Sequence, residues 1–193
     1  VLHYFSLMNK AQKGAGILMT EFKKASITNS SFIDNSAYYD GGGMFCESSN
    51  DVASLIIRYD LFSDNQAHKG AGISGLKISF VFVMFSKFTR NYASSMGSGV
   101  YMQLTHIFLN KKNMYLSNNV GYRCAGVNTI STEVISNINC LFLNNSQGGV
   151  CAVFLSIVTN INCIFIKNSH PDDKDGIMTV MSGNKVVNIK STF

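Results

Sequence analysis

Asn137-Ile138-Asn139-Cys140-Leu141-Phe142-Leu143-Asn144-Asn145 and, 23 residues later, Asn160-Ile161-Asn162-Cys163-Ile164-Phe165-Ile166-Lys167-Asn168 agree at six of nine positions. Their shared kernel, aromatic-x-x-Asn, also occurs as Phe32/Asn35, Phe62/Asn65, Phe88/Asn91 and Tyr115/Asn118. Between the copies runs a second motif of small residues, glycine and an aliphatic. It reads Gly14-Ala15-Gly16-Ile17, Gly41-Gly42-Gly43-Met44, Gly70-Ala71-Gly72-Ile73, Gly97-Ser98-Gly99-Val100 and Cys124-Ala125-Gly126-Val127. Two diluted copies follow, Val150-Cys151-Ala152-Val153 and Lys174-Asp175-Gly176-Ile177. The first residues of the seven stand 27, 29, 27, 27, 26 and 24 positions apart. A fixed period of this length means a stacked array of one supersecondary unit.

The unit is built of strands. Apolar residues at i, i+3, i+4 and i+7 are not sustained in any period, whereas β-branched and aromatic residues are abundant. Helical repeats and propeller blades are also longer, roughly 33–47 residues. A period of 23–29 residues fits three short strands and three turns, one rung of a parallel β-helix. At a strand spacing of about 4.8 Å, seven rungs make a rod on the order of 34 Å long.

The recurrent residues then acquire physical tasks. Glycine allows a sharp turn or a close backbone approach beside an inward aliphatic. The aromatic fills the interior and stacks on its counterparts above and below. The Asn three residues later is expected to take a left-handed backbone and to bond the next rung's Asn as a ladder. Asn29, Asn139 and Asn162 form an incomplete second row, three residues before the aromatic. Asn139 is expected to kink its strand and leave both Ile138 and Cys140 inward. In the longest apolar run, Ile78 to Phe85, alternation from an inward Phe80 turns Phe82 and Met84 in. It turns Val81, Val83 and Phe85 out as an exposed stripe.

Composition agrees with this frame. With 46% hydrophobic and 14% charged residues the chain is not of a disordered type. The net charge of +5 is spread along the chain, and its densest cluster is Lys10, Lys13, Lys23 and Lys24. That is too sparse for a nucleic-acid face, so no nucleic-acid partner is expected. No apolar run reaches the roughly 18–20 residues of a spanning helix. The chain starts at Val1 without a signal-peptide layout and stops at Phe193, one period after Phe165. Residues 1–193 therefore read as a single β-helix domain, uncapped at both ends. It is expected to be a fragment of a longer array that would contact flanking rungs of its parent protein.

The paired Gly-Gly-Ala-Ile-like and Phe-x-x-Asn motifs resemble the repeats of polymorphic outer membrane proteins. These are surface adhesins whose passengers are right-handed, pectin-lyase-like parallel β-helices. The resemblance covers nearly the whole chain and implies an all-β, right-handed, single-stranded parallel β-helix of about seven rungs. It also implies a place at the cell surface or outside the cell, and an adhesive role.

Reactive chemistry is thin. The cysteines Cys46, Cys124, Cys140, Cys151 and Cys163 show no C-x-x-C or Cys/His metal spacing. Cys140 and Cys163 hold one repeat position where other rungs carry Ser30, Ser86 and Ser191, so they read as small core residues rather than a disulfide. His3, His68, His106 and His170 share no face. The polar loop Ser169 to Gly176 misses the spacing of a calcium loop and reads as an acidic turn. The acids, Asp34 and Asp64 among them, do not collect on one row of neighbouring rungs, and Arg58, Arg90 and Arg123 sit at different points of the period. No catalytic, cofactor or metal residue is assigned.

The expected function is a non-enzymatic structural or adhesive solenoid that meets surface glycans or other proteins through one face. The alternative is a polysaccharide lyase or hydrolase. A groove with two acidic side chains within about 10 Å would favour that enzyme, and a smooth face of Ser, Asn and Gly would speak against it. Two sequons, Asn29-Ser30-Ser31 and Asn144-Asn145-Ser146, suit a secreted chain, although Asn ladders supply a competing role.

Overall fold

The first five periods each make four short strands, one more than the sequence suggests. A computed structural model describes residues 4–154, 156–168, 178–181 and 185–192. One rung runs Ser31–Ile33, Ser36–Asp40, Met44–Glu47 and Ser54–Arg58, and the next runs Leu61–Ser63, Gln66–Lys69, Ile73–Leu76 and Phe80–Met84. Equivalent strands pair in parallel along the rod, as in Phe62 with Phe88 and Val81 with Phe108. Three sheets of seven strands and one of five result, wound into a β-solenoid of about six turns with no helix among the described residues. We call them, in chain order within a rung, the aromatic, alanine, third and fourth sheets.

The corners are made by residues of no single type. Between the aromatic and alanine sheets the chain bends at Asp34, Asp64, Arg90, Ser117 and Asn144, all with φ near +50° to +58°. Between the fourth and aromatic sheets it bends at Asn29, Tyr59, Phe85, Lys112, Asn139 and Asn162, again left-handed. Among the described residues only the corner before the third sheet uses glycine, at Gly14, Gly41, Gly70 and Gly97, with Cys124 taking the same place at φ 40°. A left-handed L-residue costs roughly 1–2 kcal/mol, so stacking must hold these corners in place. The left-handed residue thus directly precedes the ladder Asn, which itself is not left-handed.

Stacking is close. The rings of Phe32, Phe62, Phe88, Tyr115, Phe142 and Phe165 lie 4.7–5.0 Å apart and within 8° of parallel. The third small residue of the glycine motif makes room for them. A Cβ on Gly99 would stand 2.5 Å from the Gly126 carbonyl oxygen and 2.9 Å from the Tyr115 ring. The main core joins these rings to inward residues of the third and fourth sheets such as Ile73, Val100, Leu55 and Phe108. A smaller cluster of Ala37, Ala67, Ala71, Ala93 and Val120 lies beneath the alanine sheet.

The ladder is complete from Asn9 to Asn168. Typically, Asn65 Nδ2 donates to Asn91 Oδ1 at 3.0 Å and to the Phe32 carbonyl at 2.9 Å, while the Asn65 amide N–H donates to the same Oδ1 at 3.1 Å. Each buried amide is thereby satisfied. A second interior ladder runs through Asn110, Asn137, Asn160 and Asn188, with every Nδ2 to Oδ1 step at 2.8 Å. It occupies the inward position that Ile57 and Val83 hold in earlier rungs. Of the anticipated row, Asn139 and Asn162 do bond at 3.1 Å, but outside the rod.

Three local expectations are corrected. Val81 and Val83 are buried, and Phe80, Phe82 and Met84 take the outer side; an all-apolar run carries no alternation from which to choose its face. Ile138 likewise lies on the outer side, because Ile135 and Asn137 point in before the kink at Asn139 brings Cys140 inward. The sixth glycine motif is Gln147-Gly148-Gly149-Val150, since Val150 pairs with Val127. It is not diluted at all. The seventh, Lys174 to Ile177, lies outside the described residues.

Candidate functional site

The position two residues before the aromatic forms a buried acceptor row. Ser30, Asp60, Ser86, Asn113, Cys140, Cys163 and Ser191 occupy it. Their side chains take the amide N–H of the preceding rung, as in Ser30 N to Asp60 Oδ1 at 2.6 Å and Ser86 N to Asn113 Oδ1 at 2.6 Å. Asp60 also accepts from the Arg58 amide at 3.0 Å. Burial outweighs those bonds and pushes its carboxyl up to about 6. Cys140 and Cys163 are free, buried members of this row. Burial drives the Cys140 thiol up, whereas hydrogen bonding from Cys140 lowers Cys163. This row supports the coil.

A disulfide appears where the sequence reading placed none. Cys124 and Cys151 are joined across adjacent rungs with their Cα atoms 5.8 Å apart. Cys124 stands at the glycine corner and Cys151 is the second residue of the next strand of the third sheet. The counterpart contact one rung earlier is between Gly97 and Asn128. Reading the sixth glycine motif three residues late hides this juxtaposition.

Acids do collect on one row. Asp34 and Asp64 hold the same corner on neighbouring rungs, and Arg90 holds it on the next. They line a groove of about 500 Å³ together with Gln66, Tyr92, Leu7, Met8 and Ile33. The Asp64 carboxylate is gripped by Arg90, with Nε to Oδ1 and Nη2 to Oδ2 both at 2.7 Å. Hydrogen bonding from Arg90 accordingly holds its carboxyl below the usual value. All three stand directly before a ladder Asn, as Asp34-Asn35, Asp64-Asn65 and Arg90-Asn91, so one motif position brings them into register.

Beside the groove, the outer side of the alanine sheet is rich in tyrosine. Tyr38 is 72% exposed, Tyr39 49%, Tyr92 43% and Tyr122 57%, which makes this a ligand-accessible aromatic surface rather than core. A hollow of about 350 Å³ lies among Tyr38, Tyr39, His68 and Ser94. Tyr38 and Tyr39 meet edge to face at 4.7 Å, and His68 Nδ1 lies 2.9 Å from Ser94 Oγ. The Arg123 guanidinium covers the Tyr122 ring at 5.1 Å. Tyr92 lines the groove and Ser94, two residues along the same strand, lines the hollow, so the two depressions form one surface.

Of the histidines, His68 belongs to that surface. His106 pairs instead with Glu133 at 2.8 Å on another side, while His3, His170 and the acidic loop lie outside the described residues. Among the described residues no group of three or more His, Cys, Asp or Glu is placed to hold a metal ion, and no helix is long and apolar enough to cross a membrane. Comparison with protein-family models, with curated proteins and with solved structures finds no match for the chain.

Proposed function

We propose that the chain is a stiff, non-enzymatic β-solenoid of the cell surface or the extracellular space, whose alanine-sheet face binds linear oligosaccharide. The carrying observation is the tyrosine surface. Exposed rings stand on four consecutive rungs, counting His68 on the rung between Tyr38 and Tyr92 and Tyr122 beyond. Sugars present flat apolar C–H faces edged by hydroxyls. Tyrosine rings pack on such faces, while Gln66, His68, Ser94 and the Asp64–Arg90 pair supply hydrogen bonds at the edges. Rungs repeat about every 4.8 Å, close to the length of one hexopyranose in an extended chain. An oxidised Cys124–Cys151 pair suits an oxidising compartment.

A second reading has one specific observation in its favour, the Asp34–Asp64 pair in the groove. Glycoside hydrolysis needs one carboxyl kept protonated as the acid and a second kept ionised. Arg90 holds Asp64 ionised, so Asp34 would have to serve as the acid.

Titration with oligosaccharides chosen from a glycan-array screen tests the first reading. Tyr38→Ala and Tyr92→Ala are each expected to weaken binding about tenfold, the loss of one ring contact of roughly 1.4 kcal/mol. Binding that ignores both substitutions, or no binding to any glycan, would sink it. New reducing ends or unsaturated products from the bound sugar, lost in Asp34→Asn, would establish the enzyme instead.

A further inference from the structure

Asparagine recurs throughout this coil, and nearly every copy has a task. The two interior ladders, the acceptor row, the Asn139–Asn162 pair, the Asn119 contact with Ser146 and the Asn50 turn account for most of them. Among the described residues only three asparagine side chains make no hydrogen bond. Asn128 is one, and it is fully buried. The other two, Asn29 and Asn144, are exposed.

These same two begin the chain's only Asn-x-Ser/Thr sequons, Asn29-Ser30-Ser31 and Asn144-Asn145-Ser146. Both stand at left-handed corners, with φ 49° and 53°, where the chain turns between sheets. From the sequence alone the sequons compete with ladder positions. In the folded chain the two sets separate completely: Asn145 is the ladder residue and its neighbour Asn144 is not.

We infer that Asn29 and Asn144 are N-glycosylation sites. In the transfer, Nδ2 of each asparagine forms a C–N bond to the anomeric carbon of a lipid-pyrophosphate-linked oligosaccharide. The bond from that carbon to the phosphate oxygen breaks, the lipid pyrophosphate leaves with its electron pair, and the amide gives up one proton. The Cys124–Cys151 disulfide points independently to the oxidising lumen in which such donors act. A glycan at either site displaces no contact of the fold. The two sites flank the aromatic sheet, Asn29 at the corner entering it and Asn144 at the corner leaving it. The Asn144 glycan would stand beside the outward Leu143 and Ile166 and shield that apolar edge from water.

The inference is tested on the full chain secreted from a eukaryotic host and released from its glycans by peptide N-glycosidase in heavy-oxygen water. Peptide mapping is expected to find heavy-oxygen aspartate at Asn29 and Asn144 and at none of Asn35, Asn65, Asn91, Asn118 or Asn145. Apparent mass on a gel should fall by one step in Asn29→Gln and one in Asn144→Gln, while Ser31→Thr keeps its step. Two unmodified sites in the secreted chain, or label on a ladder residue, would overturn the inference; one unmodified site overturns it for that site. Oligosaccharide binding plays no part in this readout, so the two proposals fail separately.

Discussion

The Tyr115 hydroxyl donates to Asn110 Oδ1 at 2.9 Å, and this bond marks the rung at which the interior changes chemistry. Before it, the second inward position of the fourth sheet is aliphatic, as Ile57 and Val83; from it onward that position carries the Asn110–Asn137–Asn160–Asn188 ladder, while the first stays apolar as Phe108, Ile135 and Val158. The first ladder member has no Asn before it to donate to its carbonyl. Asn113 Nδ2 and the one tyrosine in a stack of phenylalanines fill that vacancy. Tyr115→Phe should therefore cost about 1 kcal/mol of unfolding free energy in urea titrations. Phe88→Tyr, one rung earlier against Val83, should cost about 1–3 kcal/mol, because its hydroxyl would be buried unpaired. Equal effects in the two variants would contradict the pairing.

Asp60 makes stability depend on pH. Its folded value, about 6, lies above the ordinary 3.8, so the native state binds the proton more tightly than the unfolded chain does. The sign follows: stability from this group is fully present below about pH 4 and declines as pH rises towards 6. The loss is on the order of 3 kcal/mol. Asp60→Ser reproduces the Ser86 arrangement, in which the hydroxyl accepts the preceding rung's amide and donates to its own chain at 3.0 Å. Thermal melts across this window should show the decline in the parent and a flatter profile in Asp60→Ser. Asp64 acts in the opposite sense, since its lowered carboxyl loses stability as pH falls, so melts in Arg90→Ala separate the two.

How much of this was legible in the sequence depends on whether a residue acts by type or by register. Phe62, Phe88 and Asn91 announce themselves because each rung needs the same residue to stack or bond the next. Asp34, Asp64 and Arg90 do not, because a left-handed corner held by stacking accepts almost any side chain. Only their place directly before each ladder Asn aligns them, as Asp34-Asn35, Asp64-Asn65 and Arg90-Asn91. The second ladder hid for a related reason: Asn137 takes over a place that Val83 fills with hydrocarbon, so no common letter links them. Val81 and Phe82 could not be sorted by alternation, yet the inward Leu55 and Phe108 paired with Val81 fix its face once strands are paired.

Ladder amides cannot be exchanged for acids. Asn91 Oδ1 receives two bonds from Asn65, while Nδ2 donates to Asn118 Oδ1 and to the Phe62 carbonyl, each at 3.0 Å. Asn91→Asp keeps the acceptors, removes both donors and buries a charge against two oxygens. It should cost more than Asn91→Ala, itself expected at about 2–4 kcal/mol from unsatisfied neighbours. Denaturant titration near neutral pH orders the pair. Lowering the pH to protonate the aspartate should narrow the gap.

The disulfide bears on the glycine corner as well as on the unfolded chain. Cys124 and Cys151 are 27 residues apart, a loop for which cross-linking contributes about 3.5 kcal/mol. Reduction should lower the melting temperature accordingly. Cys124 also sits left-handed, at φ 40°, where Gly97 and Gly70 stand in earlier rungs. Once the bond is gone, glycine is the better corner residue, by roughly 1 kcal/mol. Cys124→Gly/Cys151→Ser should therefore be more stable than Cys124→Ser/Cys151→Ser, and neither should respond to reductant. If the two melt together, the corner is not held left-handed by the coil, and the strain assigned to the other non-glycine corners falls with it.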